Sequence, residues 1–218
     1  MNSLEKRNSV KKDYDLIANQ YCNEFGVEIE DKQIIDEFKS LLQPNSKVID
    51  LGGGSGKVTK YLIDNNINGI CYDFSEEMMK NALSLFPNLP YILDDILFLK
   101  RHFENSSVDG IVALYSLFHI PKDDMKSLLT DIRDVLKTAG YFLSSFQLGT
   151  GEEFVDEPYL NEKGNKVLFM NYYSKKEILD LFNENDFEII DQYEKRETGD
   201  NVIGEDGNDA IFILAKKK

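Results

Sequence analysis

A loop of glycines follows a short apolar run in the first quarter of the chain. The run KVIDL (47–51) has the length and composition of a buried strand, and GGGSG (52–56) follows it directly. The next residues, KVTKYLIDN (57–65), have the apolar spacing of a helix. Because glycine has no Cβ atom, such a loop turns tightly and lets a ligand lie against backbone N–H groups at the helix N-terminus. The loop therefore predicts a ligand site, with a plain strand-to-helix turn as the alternative.

The spacing of the glycines separates the ligands that such loops bind. A phosphate-binding loop needs G-x-x-x-x-G-K-[ST], but Leu51 stands five positions before Gly56, and Val58 follows Lys57. A dinucleotide loop, G-x-G-x-x-G, that starts at Gly52 would need glycine at position 57, where the chain has lysine. A nicotinamide oxidoreductase is therefore disfavoured. What remains is G-x-G-x-G behind an acidic residue, formed by Asp50, Gly52, Gly54 and Gly56.

Acidic residues end the next two predicted strands. Asp73 follows NGICY (68–72), 17 residues after Gly56, and a carboxylate there can accept hydrogen bonds from both hydroxyls of a ribose. Asp94 and Asp95 end the run that begins at Pro90, and one of them can accept from an adenine amino group. Helix capping is the alternative for Asp73, and a turn carboxylate is the alternative for the pair.

These residues need a scaffold that brings the carboxyl ends of several strands together. Five apolar runs alternate with helical patterns, and two strands, 187–194 and 210–216, then follow each other without a helical pattern between them. This order indicates a parallel sheet with helices on both faces and a ligand crevice at the carboxyl ends of its strands. We predict a single α/β domain (1–218) with a doubly wound, seven-stranded, mostly parallel sheet and one antiparallel strand near the C-terminus. We expect the polar residues 1–12 to fray, and helices over 14–26 and 31–42.

The composition limits partners and compartment. The chain carries 25 Lys and Arg against 39 Asp and Glu, a net charge of −14, which opposes nucleic-acid binding. Two cysteines cannot build a disulfide framework and have no metal-like spacing to the two histidines. No apolar run reaches the length of a membrane span or of a signal sequence. We therefore expect a cytoplasmic protein, a monomer or a homodimer, with no metal and with neither nucleic acid nor membrane as a partner.

Five segments of the chain resemble the motifs of class I S-adenosylmethionine-dependent methyltransferases, in the right order and at the right separations. They are VIDLGGGSGKVTKYL (48–62), GICYDFSEEMMKNA (69–82), DDIL (94–97), VDGIVALYSLFHI (108–120) and DVLKTAGYFLSSF (134–146). The likeness is greatest to small bacterial members that modify small molecules. It implies the Rossmann-like methyltransferase fold, S-adenosyl-L-methionine as cofactor, S-adenosylhomocysteine as product and a small-molecule acceptor.

The resemblance also implies a role for individual residues in binding the cofactor. The loop acid orients the glycines and approaches the methionine amino group, and an N-terminal helical cap (1–45) closes over the cofactor. Gly53 stands where many members have another residue, and we expect no consequence. Cofactor contacts are thus expected from Tyr14, Tyr21, Asp50, Gly52, Gly54, Gly56, Asp73, Phe74, Met78, Asp95, Ile96 and Leu114.

The acceptor side is less determined by motifs. His119, in SLFHI after the fourth strand, can act as a general base near neutral pH, with a structural histidine as the alternative. An insert, 148–173, predicts a hairpin that lies over the cleft as a lid, with a solvated decoration as the alternative. Expected acceptor contacts are Tyr115, Tyr159, Phe169, Tyr172 and Tyr173.

Two alternatives to a small-molecule methyltransferase remain open within this fold. One is a protein or peptide methyltransferase, and the other is a module that binds S-adenosylmethionine without turnover. An amino-methylating DNA enzyme is disfavoured because the stretch 113–116 lacks the expected pair of prolines. The acceptor and its reacting atom do not follow from these residues, because a fold does not determine a substrate.

Overall fold

The computed structural model of the chain describes residues 1–29, 31–156, 167–196 and 209–218. In these ranges, nine strands form one sheet: β1 (Lys47–Leu51), β2 (Asn68–Asp73), β3 (Tyr91–Leu93), β4 (Val108–Ala113), β5 (Leu136–Leu148), β6 (Gly151–Asp156), β7 (Val167–Tyr173), β8 (Phe187–Arg196) and β9 (Asp209–Lys217). The α-helices are α1 (Ser3–Phe25), α2 (Lys32–Ser40), α3 (Lys57–Asp64), α4 (Glu76–Leu85), α5 (Lys122–Val135) and α6 (Lys175–Glu184). Short 3-10 helices span Ile96–Arg101 and Leu117–His119.

The sheet has the order β3-β2-β1-β4-β5-β9-β8, with the first five strands parallel. Strand β9 runs antiparallel to both β5 and β8, so the prediction of a mostly parallel sheet with an antiparallel strand near the C-terminus is confirmed. The hairpin β6–β7 adds two strands to the predicted seven, because β7 pairs with the last two residues of β5. Strand β1 lies between β2 and β4, and the reversal of strand order at this point opens a crevice at their carboxyl ends.

Apolar side chains cover both faces of the parallel strands. Ile49 and Ile111 point to one face, where α5, α6 and the first 3-10 helix pack, whereas Val48 and Val112 point to the other, where α2 and α3 pack. All four side chains are fully buried, as expected for strands covered on both sides. The core therefore holds the strand ends, and with them the crevice, in a fixed arrangement.

Helix α1 begins at Ser3, so the expectation that residues 1–12 fray is wrong. Asn2 and Glu5 form a capping box in which each side chain accepts a hydrogen bond from the other's backbone N–H group. The buried Arg7 donates to Asp95 (2.9 Å) and to Asp124 (2.6 Å). Capping and long-range ion pairs thus order a segment whose polar composition alone indicates fraying. None of the helices in the described part of the chain is long and apolar enough to cross a membrane.

Candidate functional site

A cavity lies at the carboxyl ends of β1, β2 and β4, beneath residues of α1 and α2. It has about 1110 Å³ of empty space, part of which is open to solvent. One wall, the carboxylate side, is formed by Asp50, Gly52, Gly54 and Asp73. Another part of the wall, which we call the tyrosine side, is formed by Tyr14, Asp31, Tyr115 and His119. The cavity brings together all the residues predicted to bind the cofactor except Gly56.

The glycine loop depends on backbone conformations that favour glycine. Gly52 and Gly54 have φ of +75° and +50°, in the left-handed region. A Cβ atom on Gly52 would overlap Ser116, whereas a Cβ atom on Gly54 would meet nothing within 4 Å. The loop is therefore packed tightly against the β4 connection at Gly52 and open at Gly54, where a ligand can approach the backbone.

Two predictions for this loop need correction. Gly56 does not line the cavity; it precedes α3 with a φ of +74°, and its missing Cβ makes room for Leu89. Gly53 does have a structural consequence, because a Cβ atom there would stand 2.6 Å from Cys71 Sγ and 2.8 Å from Asp50 Oδ2. Both glycines are required by packing within the protein, and no sequence motif distinguishes that need from ligand contact.

Asp50 and Asp73 are buried carboxylates at neighbouring strand ends. Asp50 Oδ2 accepts hydrogen bonds from Thr59 N (3.0 Å) and Thr59 Oγ1 (2.8 Å). Asp73 accepts from Gly54 N (3.0 Å) and from Ser75 N (2.8 Å). Burial raises the pKa of each carboxyl to about 6, against the hydrogen bonds that lower it. A cation in the cavity would favour both ionised forms, so this side is suited to a positively charged ligand.

Asp95 lines the cavity together with Phe74, Met78 and Ile96, whereas Asp94 does not. Asp95 Oδ1 accepts from Leu97 N (3.0 Å) and caps the 3-10 helix, and its other oxygen accepts from Arg7. Asp94 instead contacts His102 Nε2 at 2.8 Å. Leu114 and Tyr21, also predicted as cofactor contacts, lie on the wall of the same cavity.

His119 is buried on the tyrosine side and bonded at both ring nitrogens. Its Nδ1 lies 2.8 Å from the carbonyl oxygen of Phe169, and its Nε2 lies 2.8 Å from the hydroxyl of Tyr14. Since a carbonyl only accepts, Nδ1 carries the proton, and Nε2 accepts from Tyr14. Burial lowers the pKa of His119 to about 4, so its ring is neutral at neutral pH.

Tyr115 occupies a strained position at the end of β4. Its φ of +55° is unusual for an aromatic residue, and such conformations are common at functional sites. Its backbone N–H donates to Ser145 Oγ (2.7 Å), and its hydroxyl donates to the buried Asp31. Asp31 also accepts from Lys195 Nζ (2.8 Å). Tyr115, which the sequence predicts as an acceptor contact, lines the cavity on a wall that ties α2 to β8.

Phe169, Tyr172 and Tyr173, the predicted aromatic contacts that lie in the described part of the insert, do not line the cavity. Phe169 (1% exposed) packs in a cluster with Val10, and its ring stacks edge-on against Phe154. Tyr173 (3% exposed) packs against Phe146, and Tyr172 is also buried. Their prediction as acceptor contacts is therefore corrected: they bury the hairpin against the protein. Tyr159 lies outside the described residues.

Sequence reasoning missed several residues that line the cavity, among them Arg7 and Asp31. Arg7 falls in the segment expected to fray, and Asp31 falls at the start of a predicted helix, where an acidic residue needs no further explanation. No spacing in the sequence pairs either residue with its partners, which lie on distant elements. Among the described residues, no three His, Cys, Asp or Glu side chains are grouped in a way that could hold a metal ion.

Comparisons with known proteins agree with this geometry. Residues 48–140 match the family model of a methyltransferase domain. Among solved structures, an S-adenosylmethionine-dependent methyltransferase from Methanosarcina mazei is 20% identical, with a TM-score of 0.69 over 82% of this chain and 95% of that one. TehB from Haemophilus influenzae is also 20% identical, with a TM-score of 0.67 over 95% of this chain and 67% of the other. A sequence search found no curated protein with a significant match.

A third structure is similar over the whole chain. The 1,6-didemethyltoxoflavin-N1-methyltransferase from Burkholderia thailandensis, solved with its heterocycle and S-adenosylhomocysteine, is 15% identical, with a TM-score of 0.69 over 100% of this chain and 91% of that one. The prediction of S-adenosylmethionine as cofactor is confirmed by these relatives. Residues 48–140 thus match a methyltransferase domain, and the chain shares the fold of S-adenosylmethionine-dependent methyltransferases.

Proposed function

We propose that the enzyme methylates a small-molecule acceptor, which binds on the tyrosine side of the cavity. The observation that carries this proposal is the continuity of one cavity from the carboxylate side to Tyr14, Tyr115 and His119. Residues of α1 and α2 contribute to its wall, so that the acceptor enters a recess and does not meet a flat face.

The residues of the carboxylate side fit the cofactor that the family uses. When bound, S-adenosylmethionine supplies a methyl group on a positively charged sulfur. Asp50 and Asp73 provide buried negative charge for a ligand that carries a sulfonium and an ammonium group. Gly54 leaves room next to a backbone N–H, and the thioether of Met78 can lie against an adenine ring. We assign Asp73 to the ribose hydroxyls and Asp95 to the adenine amino group.

The protein's own contribution to such a transfer is alignment and exclusion of water. An in-line displacement gains most from holding the acceptor near the methyl group at the correct angle. Helix α1, anchored by Arg7 and by a hydrogen bond between Asp15 and Ser75 Oγ (2.6 Å), covers part of the site and limits its contact with solvent. The Burkholderia relative acts on a small heterocycle, which supports a small acceptor for a protein of this shape.

The test has two stages with the full-length protein. Calorimetry with S-adenosylhomocysteine should show one site, and transfer of a labelled methyl group should then be detected to members of a metabolite panel. Labelling of proteins or peptides in a lysate without labelling of any small molecule would favour a protein methyltransferase. Binding without transfer to either class would favour a module that binds the cofactor without turnover.

A further inference from the structure

Three groups form a hydrogen-bonded chain on the tyrosine side. The carbonyl oxygen of Phe169 accepts from Nδ1 of His119, and Nε2 of His119 accepts from the hydroxyl of Tyr14, both at 2.8 Å. His119 is 6% exposed, and its ring meets that of Tyr14 edge-on with the centroids 5.3 Å apart. The backbone of β7 thus determines which nitrogen of His119 is free to accept a proton.

The phenol of Tyr14 covers the nitrogen that a general base would use. Since Nε2 is already engaged by Tyr14, a ligand beside Tyr14 would contact the phenol hydroxyl and not this nitrogen. Because the Tyr14 hydroxyl donates its hydrogen to His119, its oxygen acts toward a ligand as an acceptor. Such an oxygen prefers a ligand that carries an O–H or N–H group.

The charges of the cavity wall select further among ligands. Four carboxylates, Asp31, Asp50, Asp73 and Asp95, line the cavity, against two cations, Arg7 and Lys57. Arg7 is already engaged by Asp95 and Asp124. Asp31 is likewise engaged by Lys195 and by the Tyr115 hydroxyl, so that no cation among the described residues of the tyrosine side remains to pair with an anionic acceptor. An uncharged ring would instead pack against the aromatic rings of the tyrosine side without losing strong hydration.

We propose that Tyr14 is the catalytic residue that receives the acceptor's proton, that His119 holds Tyr14's own proton behind it, and that the acceptor is an uncharged aromatic or heteroaromatic molecule with an O–H or ring N–H group. This inference rests on the proposed function. It gives His119 an indirect role, in place of the direct contact predicted from the sequence.

The atoms and charges of this step balance. The acceptor's O or N forms a bond to the methyl carbon while the bond between that carbon and sulfur breaks. The electron pair of the broken bond stays on sulfur. The acceptor's proton moves to the Tyr14 oxygen as the Tyr14 proton moves to Nε2 of His119, which then carries the positive charge that the sulfonium lost. His119 releases this proton to solvent later. A weak base suffices, because an acceptor that gains a methyl group becomes a much stronger acid.

The first experiment examines the chain of hydrogen bonds without turnover. The protein has two histidines, so that nitrogen-15 spectra of its imidazoles are simple to assign with the variant His119→Gln. We expect a neutral His119 with its proton on Nδ1, and an altered Nε2 signal in Tyr14→Phe. A proton on Nε2, or an unchanged Nε2 signal in Tyr14→Phe, would overturn the proposal.

The second experiment measures binding of defined probes to the protein saturated with S-adenosylhomocysteine. The probes are benzimidazole and 2-naphthol, their methylated forms 1-methylbenzimidazole and 2-methoxynaphthalene, and 2-naphthoate as the anion. One hydrogen bond should give the O–H and N–H probes about a tenfold preference over the methylated forms in the parent. Tyr14→Phe should reduce this preference to about twofold, whereas Tyr141→Phe, a phenol outside the cavity, should retain it.

The outcomes separate this inference from the proposed function. Equal binding of methylated and unmethylated probes, an unchanged preference in Tyr14→Phe, tighter binding of 2-naphthoate, or no binding of any probe at millimolar concentration would each overturn the inference. If the parent protein does not bind S-adenosylhomocysteine, that result contradicts the proposed function instead. Thermal unfolding of each variant shows that it is folded, and His119→Gln provides a second variant that should weaken the same preference.

Discussion

The carboxylate side and the tyrosine side of the cavity are built in different ways. The carboxylate side lies within one stretch of the chain, 50–73, and its shape depends on glycine conformations and on hydrogen bonds to nearby backbone. On the tyrosine side, the hydroxyl of Tyr14 meets a residue 105 positions away, and that of Tyr115 meets one 84 positions away. Local geometry therefore makes the carboxylate side, and tertiary contacts make the tyrosine side.

The two sides also differ in their electrostatic cost. Asp50 and Asp73 are buried with their pKa values raised to about 6, so that the carboxylate side is unfavourable for the folded protein until a cation arrives. On the tyrosine side, Asp31 is paired with Lys195 and the neutral His119 is bonded at both nitrogens. Substitutions on the carboxylate side should therefore be able to change stability without the same change in ligand binding. Substitutions on the tyrosine side should change both together.

The largest expected effect concerns the glycine loop. Gly52→Ala combines a left-handed φ with an overlap on Ser116, so we expect the free energy of unfolding to fall by about 2–5 kcal/mol. Gly54→Ala has the same kind of φ but open space, so we expect a loss of about 1–2 kcal/mol. Urea unfolding of both variants measures the difference. Equal losses would show that backbone strain alone accounts for both glycines.

The next largest effect is expected in Asp73→Ala, which should weaken cofactor binding. Charge-assisted hydrogen bonds contribute about 1.5–3 kcal/mol each, so S-adenosylhomocysteine affinity should fall at least about tenfold. The control is Asp64→Ala, which removes an exposed carboxylate at the end of α3 that does not line the cavity. Calorimetry should show the control within about twofold of the parent. An unchanged affinity in Asp73→Ala would contradict the ribose assignment.

The contrast between the two sides also explains what could be predicted from the sequence. Glycine spacing and the acids at strand ends follow from local rules, and they located the carboxylate side of the cavity. The helix caps at Ser75 and Ser174 are equally local, because each hydroxyl accepts a hydrogen bond from the backbone N–H three residues further on. In each case a short stretch of chain carries the whole physical cause.

Long-range partners are what the sequence could not reveal. Arg7 orders the start of α1 through Asp95 and Asp124, and nothing in its own segment indicates these partners. The sequence predicts the hairpin aromatics over the cleft, and this is wrong because amphipathic runs carry no information about which neighbour they bury against. Phe169 instead contributes its carbonyl to His119, a role that belongs to any residue at that backbone position.

Asp50→Asn should raise stability while lowering affinity. The folded pKa of Asp50 is raised, so its contribution to stability is fully present below about pH 4 and is lost as the pH rises through about 6. At pH 7.5 we therefore expect the variant to gain about 1–2 kcal/mol of unfolding free energy over the parent, and little gain at pH 4. Asp73 titrates in the same direction, and its charge also raises the pKa of Asp50, so relief of this repulsion is part of the expected gain. His119 titrates in the opposite direction and cancels in the difference between variant and parent.

The control for this prediction is Asp64→Asn, which neutralises an exposed carboxylate on α3 and should change stability by less than about 0.5 kcal/mol. Urea unfolding at the two pH values, with S-adenosylhomocysteine titrations alongside, checks both parts. A variant that is less stable than the parent at pH 7.5 would show that the hydrogen bonds from Thr59 outweigh the burial of charge.

The smallest expected effect tests whether α1 limits access to the cavity. Arg7→Met keeps an apolar stem of similar length but removes the ion pairs to Asp95 and Asp124, which are partly exposed to solvent, so the free energy of unfolding should fall by only about 1 kcal/mol. Because the first turns of α1 lose their anchor, their amide hydrogens should exchange faster, and S-adenosylhomocysteine should both bind and dissociate faster, with its affinity changed less than about threefold. Lys12→Met, on an exposed position of the same helix, should leave exchange and rates unchanged. Exchange measured by mass spectrometry and rates measured by stopped flow decide the outcome: faster exchange with unchanged rates would mean that the ligand enters elsewhere, and that α1 closes the tyrosine side without gating it.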